Sequence, residues 1–271
     1  LQTHFFDIVI LFFAGCTGGI LAGLLGIGGG IVYVFILSIF LKDIQSDEIV
    51  KYLVSNSAFA VFFAGIAGSI KQYKNNNFYL KEVLFTAIPG IVSSLFLSYL
   101  IINFDWYSKE KFAIFFVLTL IFLALRMFNF NKKEKIEKEQ LPLSKFSISG
   151  FVAGIFLAMS GLGGGVAMVP LLSGVMKLKI KKVTSISLGA MPFFALSVSL
   201  FYAFANTNPQ NAPVGSIGFI VPSVILPIIA GVIISSPIGV MLSKKLADKY
   251  IKLIFAIVLL IVIVRLLIFN Q

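Results

Sequence analysis

Stretches without a basic or acidic residue run over about 52–70, 83–104, 112–125, 183–243 and 253–264. Most are as long as the ~20 residues a helix needs to cross a bilayer. The longest, 183–243, is interrupted by the Asn- and Pro-rich segment 206–216, so it reads as two spans. Two further runs do not fit a single crossing. From Phe5 to Leu41 only Asp7 is charged, and from Phe146 to Met176 nothing is. At about 1.5 Å per residue these would be helices of about 55 and 47 Å, against a hydrocarbon core of about 30 Å. Each must be broken, and each holds an obvious place to break: Gly26-Ile27-Gly28-Gly29-Gly30 and Gly161-Leu162-Gly163-Gly164-Gly165.

The two breaks belong to an internal repeat. Adding 135 to Gly15, Gly19, Gly26, Gly28, Gly29 and Gly30 gives Gly150, Gly154, Gly161, Gly163, Gly164 and Gly165. An offset of 130 carries Ser55-Asn56-Ser57 onto Ser185-Ile186-Ser187, and one of 139 carries Arg126 onto Arg265. The chain divides into repeat 1 (1–128), a polar linker (129–145) and repeat 2 (146–271). The expected fold is an all-α polytopic membrane protein of about eight hydrophobic segments. Each half is a glycine-broken hairpin or span followed by three transmembrane helices.

Composition agrees, and charge chooses between topologies. Hydrophobic residues make up 59% and charged residues 12% of the 271 positions, which excludes an ordinary soluble domain. Lys and Arg outnumber Asp and Glu 22 to 11. The basic residues lie between apolar runs, so they read as membrane topology and not as a nucleic-acid surface. If each glycine-broken segment crosses once, the halves are parallel and basic residues divide 10 to 12 between the two faces. If each folds back as a hairpin, the halves are inverted and the division becomes 17 to 5. Basic loops stay cytoplasmic, which favours inverted repeats with the linker inside and both termini outside. The arms after the glycines, 31–41 and 166–176, then reach about 16 Å, roughly halfway across. The first basic residue is Lys42, so the N-terminal apolar stretch lacks a signal peptide's basic start and is expected to be retained.

Several chemistries are excluded. Cys16 and His4 are the only cysteine and histidine, so neither an intrachain disulfide nor a Cys/His metal site is expected. All eleven acidic residues lie near segment ends or in loops. A carboxylate or histidine proton relay is therefore not expected, nor is an intramembrane protease, metalloenzyme or cofactor enzyme.

What remains is neutral. A half-helix starting at mid-membrane exposes unpaired N–H groups and a partial positive charge, which can hold an anion without a buried cation. Gly28, Gly29 and Gly30 in one half and Gly163, Gly164 and Gly165 in the other are candidate ligands of this kind. The alternative is tight packing with a kink, the role expected for the Gly15, Gly19 and Gly23 stripe. Carbonyls at the same tips could serve a sodium ion. Behind the tips stand Ser55, Asn56 and Ser57, then Thr184, Ser185 and Ser187, with Ser160 just before the second glycine cluster. These are neutral donors suited to an oxyanion, although serine and threonine hydroxyls can also turn back on their own helix. Lys177, Lys179, Lys181 and Lys182 form a basic cluster, read as an anchor to anionic lipid or as a solute funnel. Trp106 and Tyr107 read as interfacial belt residues.

These residues resemble the sulfite exporter TauE/SafE family, also called the toluene-sulfonate uptake permeases, over almost the whole chain. The likeness is sharpest at Ser160-Gly161-Leu162-Gly163-Gly164-Gly165-Val166-Ala167-Met168-Val169-Pro170. In the first half Phe35 stands where the family often has Pro, and Ser55-Asn56-Ser57 replaces the more usual Gly-Thr-Ser. The resemblance implies a bacterial inner-membrane permease for a small sulfur-containing or organic anion such as sulfite, a sulfonate or sulfoacetate. The family includes exporters and importers. A coupling ion (H+ or Na+) and a homo-oligomer stay open, as do a passive anion or small-solute channel and a non-transporting membrane partner.

Overall fold

The computed structural model describes residues 5–42, 44, 48–104, 106–128, 142–205, 212–246, 250 and 257. The linker over 129–141 and most of the last apolar run, with Arg265, lie outside the described residues. In chain order the helices are α1 (Phe5–Leu25), α2 (Gly30–Phe40), α3 (Glu48–Lys74), α4 (Leu80–Asn103), α5 (Lys109–Phe128), α6 (Leu143–Ser160), α7 (Gly165–Val169) with a π-helical extension Pro170–Val175, α8 (Ile180–Ala203) and α9 (Pro222–Lys245). Among the described residues there is no strand, only an isolated bridge between Ile217 and Ile220. Helices α1, α3, α4, α6, α8 and α9 are each long and apolar enough to cross a membrane. The protein is a polytopic helical membrane protein.

Both overlong runs break at their glycines. Gly26, Gly28 and Gly29 take φ of 71, 89 and 72°, and Gly161 and Gly163 take 66 and 85°, left-handed values that strain any residue with a Cβ. A straight helix would hold Gly18 and Gly29 about 16 Å apart. Instead a Cβ on Gly29 would strike the Gly18 carbonyl, so the chain has doubled back. In the second half a Cβ on Gly164 would lie 2.9 Å from Ala153, at the equivalent place. The two arms of each hairpin are unequal. The incoming helices have 21 and 18 residues and α2 only 11, so the incoming arms are full length and the first outgoing arm is about half a membrane long. The outgoing arms also differ from one another. Pro170 lacks an N–H and its ring crowds the preceding turn, and α7 gives way to wider π turns there. At the equivalent position α2 has Phe35 and stays regular.

Small residues decide which helices meet. In hydrocarbon the hydrophobic effect does not drive helices together, so close approach and interhelical hydrogen bonds must do so. The stripe Gly15, Gly19 and Gly23 on α1 faces Ile228, Val232 and Ser236 on α9 so closely that a Cβ at any of the three would clash. Gly150 and Gly154 on α6 face Thr86 and Gly90 on α4 in the same way. Among the membrane-length helices α1, α3 and α4 of one half and α6, α8 and α9 of the other, the first of each half thus packs on the third of the other. The second helices meet as well, antiparallel: Gly65 lies against Pro192, Ser69 donates to the Leu188 carbonyl (2.9 Å) and Asn77 to that of Lys181 (3.4 Å). Buried serines line these seams, while Ile88, Val92 and Phe96 on α4 and Leu226, Ile233 and Ile234 on α9 are exposed where lipid would lie.

Candidate functional site

The two glycine tips meet at the middle of α3 and α8. A Cβ on Gly28 would contact Val61 of α3 and Met191 of α8, and one on Gly163 would contact Val61 and lie 2.7 Å from the Ile27 carbonyl oxygen. Gly30 presses on the carbonyls of Leu162 and Gly161, and its repeat equivalent Gly165 presses on Gly26 and Ile27. Each tip is therefore the wall against which the other is packed. The backbone N–H groups of Gly28, Gly29, Gly163 and Gly164 donate to no described residue. They lie next to the N-termini of the outgoing helices, where the backbone dipoles favour negative charge.

The hydroxyls behind the tips are spent on backbone, and in matched pairs. Ser57 on α3 donates to the Gly161 carbonyl of the second tip (2.6 Å), and Ser187 on α8 donates to the Gly26 carbonyl of the first (2.5 Å). Both carbonyls end incoming helices and have lost their helical partners, so each bond joins one half's second helix to the other half's tip. Ser55 donates to the Phe219 carbonyl (2.7 Å) just ahead of α9, and Ser185 donates to the Asn77 carbonyl just ahead of α4. Asn56 uses its whole amide. Its Nδ2 donates to the carbonyls of Tyr52 (2.7 Å) and Phe219 (2.9 Å), and its Oδ1 accepts from the Val221 N–H (2.9 Å). Thr184 turns back to the Ile180 carbonyl (2.8 Å). Ser160 turns back to that of Phe156 (2.5 Å) and accepts from the Leu162 N–H (3.2 Å). Of the residues singled out from the sequence, the structure brings the glycines, Ser57 and Ser187 into one central cluster. Ser55, Asn56 and Ser185 lie further out along the same two helices, holding the loops that lead into α9 and α4.

The two ends of the α3/α8 pair are chemically unlike. At one end Lys182 pairs with Glu82 (3.0 Å), its ammonium lies 4.6 Å from the Tyr79 ring centroid, and Asn77 donates to Gln72 (2.8 Å). One member of the basic cluster is thus engaged with protein and not simply turned to lipid. At the other end Phe219 packs edge-on between Tyr52 and Tyr202, with ring centroids 5.0 and 5.9 Å away. Tyr107 is buried and donates to the Met159 carbonyl (2.7 Å), and burial pushes its phenol above its ordinary range. It is a packing residue, whereas Trp106 remains exposed as a belt residue would be. Among the described residues no three His, Cys, Asp or Glu side chains gather as a metal site would need.

Sequence reasoning passed over the serine pairs Ser93-Ser94 and Ser235-Ser236, although an offset of 142 relates them. Ser93 donates to the Phe151 carbonyl (2.8 Å) and Ser236 to that of Ala64 (2.8 Å), joining the halves across the seams. It also passed over Tyr33, which sits against the first tip.

Residues 11–266 match the family described as Sulfite exporter TauE/SafE. A protein of Methanocaldococcus jannaschii named as a probable membrane transporter is 27% identical over 252 residues, covering 92% of this chain and 91% of that protein. One of Haemophilus influenzae with the same description is 29% identical over 263 residues, covering 95% and 97%. The Bacillus subtilis protein YunE, also named as a probable membrane transporter, is 23% identical over 278 residues, covering 94% and 95%. No solved structure gives a significant match. With nearly the whole chain matched and doubled-back glycine tips at its centre, the protein is a membrane transporter and not an enzyme, and it belongs to the sulfite exporter TauE/SafE family.

Proposed function

We propose that the protein carries a small sulfur-containing or organic oxyanion, such as sulfite, a sulfonate or sulfoacetate, across a bacterial inner membrane. The anion binds between the tips, on N–H groups around Gly28–Gly30 and Gly163–Gly165. The observation that carries this is that Gly28, Gly29, Gly163 and Gly164 have N–H groups donating to no described residue, at a point where two helices begin. Ser57 and Ser187 serve it by tying down the tip carbonyls, which would otherwise repel an anion. Ser55, Asn56 and Ser185 hold the loops ahead of α9 and α4, Ser160 holds the end of α6, and Thr184 satisfies its hydroxyl within α8. The antiparallel register of α3 and α8 supports inverted repeats, with the cytoplasmic side at the Lys182–Glu82 end and both termini outside. Rocking of one tip and its partner helices against the other would open the site to one face at a time.

The test is uptake of labelled sulfite and methanesulfonate by proteoliposomes, comparing the parent with Gly164→Leu and Asn56→Leu. Loss of saturable uptake in Gly164→Leu and a reduced rate in Asn56→Leu are expected. Unchanged uptake in both would remove the tips as the binding site. A reporter fused within 206–216 should be external and one within 131–138 cytoplasmic; the opposite result would overturn the inverted arrangement.

A further inference from the structure

We propose, resting on that anion site, that the two tips hold the anion unequally: the Tyr33 hydroxyl at the N-terminus of α2 is a ligand, and the second tip has no counterpart. Tyr33 is 0% exposed, and its hydroxyl has no hydrogen-bond partner among the described residues. Helical side chains lean toward the N-terminus, so a first-turn phenol returns to the start of its own helix. The Tyr33 oxygen accordingly lies 2.6 Å from where a Cβ on Gly29 would be, at a glycine whose own N–H donates to no described residue. Room for the ring comes from Gly18, where a Cβ would fall 2.8 Å from the ring carbon that bears the hydroxyl. A phenylalanine would fill that room without burying an unpaired hydroxyl, which is costly away from water. The hydroxyl is accounted for if a ligand oxygen accepts from it.

The second tip is built differently at each matching position. An offset of 135 carries Gly18 and Tyr33 onto Ala153 and Met168, a pair without a hydroxyl. It also carries Leu25 onto Ser160, whose hydroxyl accepts from the Leu162 N–H, so one donor of the second tip is already satisfied within the protein. The equivalent Ile27 N–H of the first tip donates to no described residue. The first tip thus offers more free donors, and a side-chain donor besides.

Thermal unfolding of purified protein with sulfite, methanesulfonate or chloride at matched ionic strength tests this in the parent, Tyr33→Phe and Tyr202→Phe. Tyr202 is also a buried phenol without a partner among the described residues, but it packs on Phe219 away from the tips. Losing one hydrogen bond to a charged ligand should raise the anion concentration for half-maximal stabilisation about tenfold or more in Tyr33→Phe. Tyr202→Phe should match the parent. If Tyr33→Phe responds as the parent does, or Tyr202→Phe loses as much, the Tyr33 assignment is overturned while the tip site stands. If the parent responds to neither anion beyond chloride, the tip site itself falls, and the Tyr33 assignment with it. Should Tyr33→Phe not fold, 3-fluorotyrosine placed at position 33 alone gives a second readout. Its fluorine resonance should move with sulfite and not with chloride, and an unmoved resonance at saturating stabilisation counts against the assignment.

Discussion

Replacing Gly165 by alanine tests the packing of tip against tip. The new methyl would lie 2.6 Å from the Ile27 Cα and 2.6 Å from the Met191 Cε, and would collide with the Gly26 carbonyl. The Met191 thioether can swing aside. The backbone of Gly26 and Ile27 can give way only if the whole first tip retreats, by about 0.8 Å to bring the Ile27 Cα to an ordinary 3.4 Å contact and by more than 1 Å to clear the nearer Gly26 carbonyl. That retreat would stretch the 2.5 Å bond from Ser187 to the Gly26 carbonyl past useful length. Overpacking costs about 1–3 kcal/mol and a lost hydrogen bond about 1 kcal/mol, so a total loss of about 2–4 kcal/mol is expected. Reversible unfolding by SDS in mixed micelles measures it in the parent, Gly165→Ala, Ser187→Ala and the double variant. Ser187→Ala should cost about 1 kcal/mol in the parent and almost nothing once Gly165 is alanine, because the bond is then already broken. The mirror pair is Gly30→Ala with Ser57→Ala, since a Cβ on Gly30 would lie 2.5 Å from the Gly161 carbonyl oxygen that Ser57 bonds. Strictly additive losses, or a Gly165→Ala protein as stable as the parent, would refute the reasoning.

Asn56→Leu removes both bonds to the segment ahead of α9 and leaves the Val221 N–H buried without its acceptor, for a loss of about 2–3 kcal/mol. Hydrogen exchange should speed up at 217–221 and not at the matching segment 76–79; equal acceleration at both would show a global effect instead. Glu82→Gln breaks a 3.0 Å ion pair whose side chains keep 18% and 20% exposure, so it should cost only about 1 kcal/mol or less. The loss should shrink further in 1 M salt, where the Debye length falls to about 3 Å; a larger, salt-independent loss would mean that Glu82 does more than pair with Lys182.

Much of the architecture was legible because hydrocarbon imposes few choices. Apolar runs too long for one crossing had to break, and only the glycines could supply the left-handed turns found at Gly26, Gly28 and Gly161. The stripe Gly15, Gly19 and Gly23 is legible as a packing face, since backbones approach this closely only where side chains are absent. The roles of Ser57, Ser187 and Asn56 were not legible. A hydroxyl or amide in a span shows that it needs a partner, but whether the partner is a solute or a carbonyl from 104 or 161 residues away depends on how the halves interlock.

The sequence by itself determined a polytopic helical membrane protein, the two places where its arms turn, and apolar spans whose acids all sit near segment ends, because each follows from hydrophobic length, glycine stereochemistry and the distribution of charge. Only the tertiary structure decided that each half's hydroxyls secure the other half's tip, that the outgoing arm widens into π turns at Pro170 while α2 stays regular at Phe35, and that the Tyr33 hydroxyl is buried against the first tip without a partner among the described residues. Those outcomes rest on contacts between residues more than a hundred positions apart or on what surrounds a side chain, and nothing in the local pattern of a helix records either.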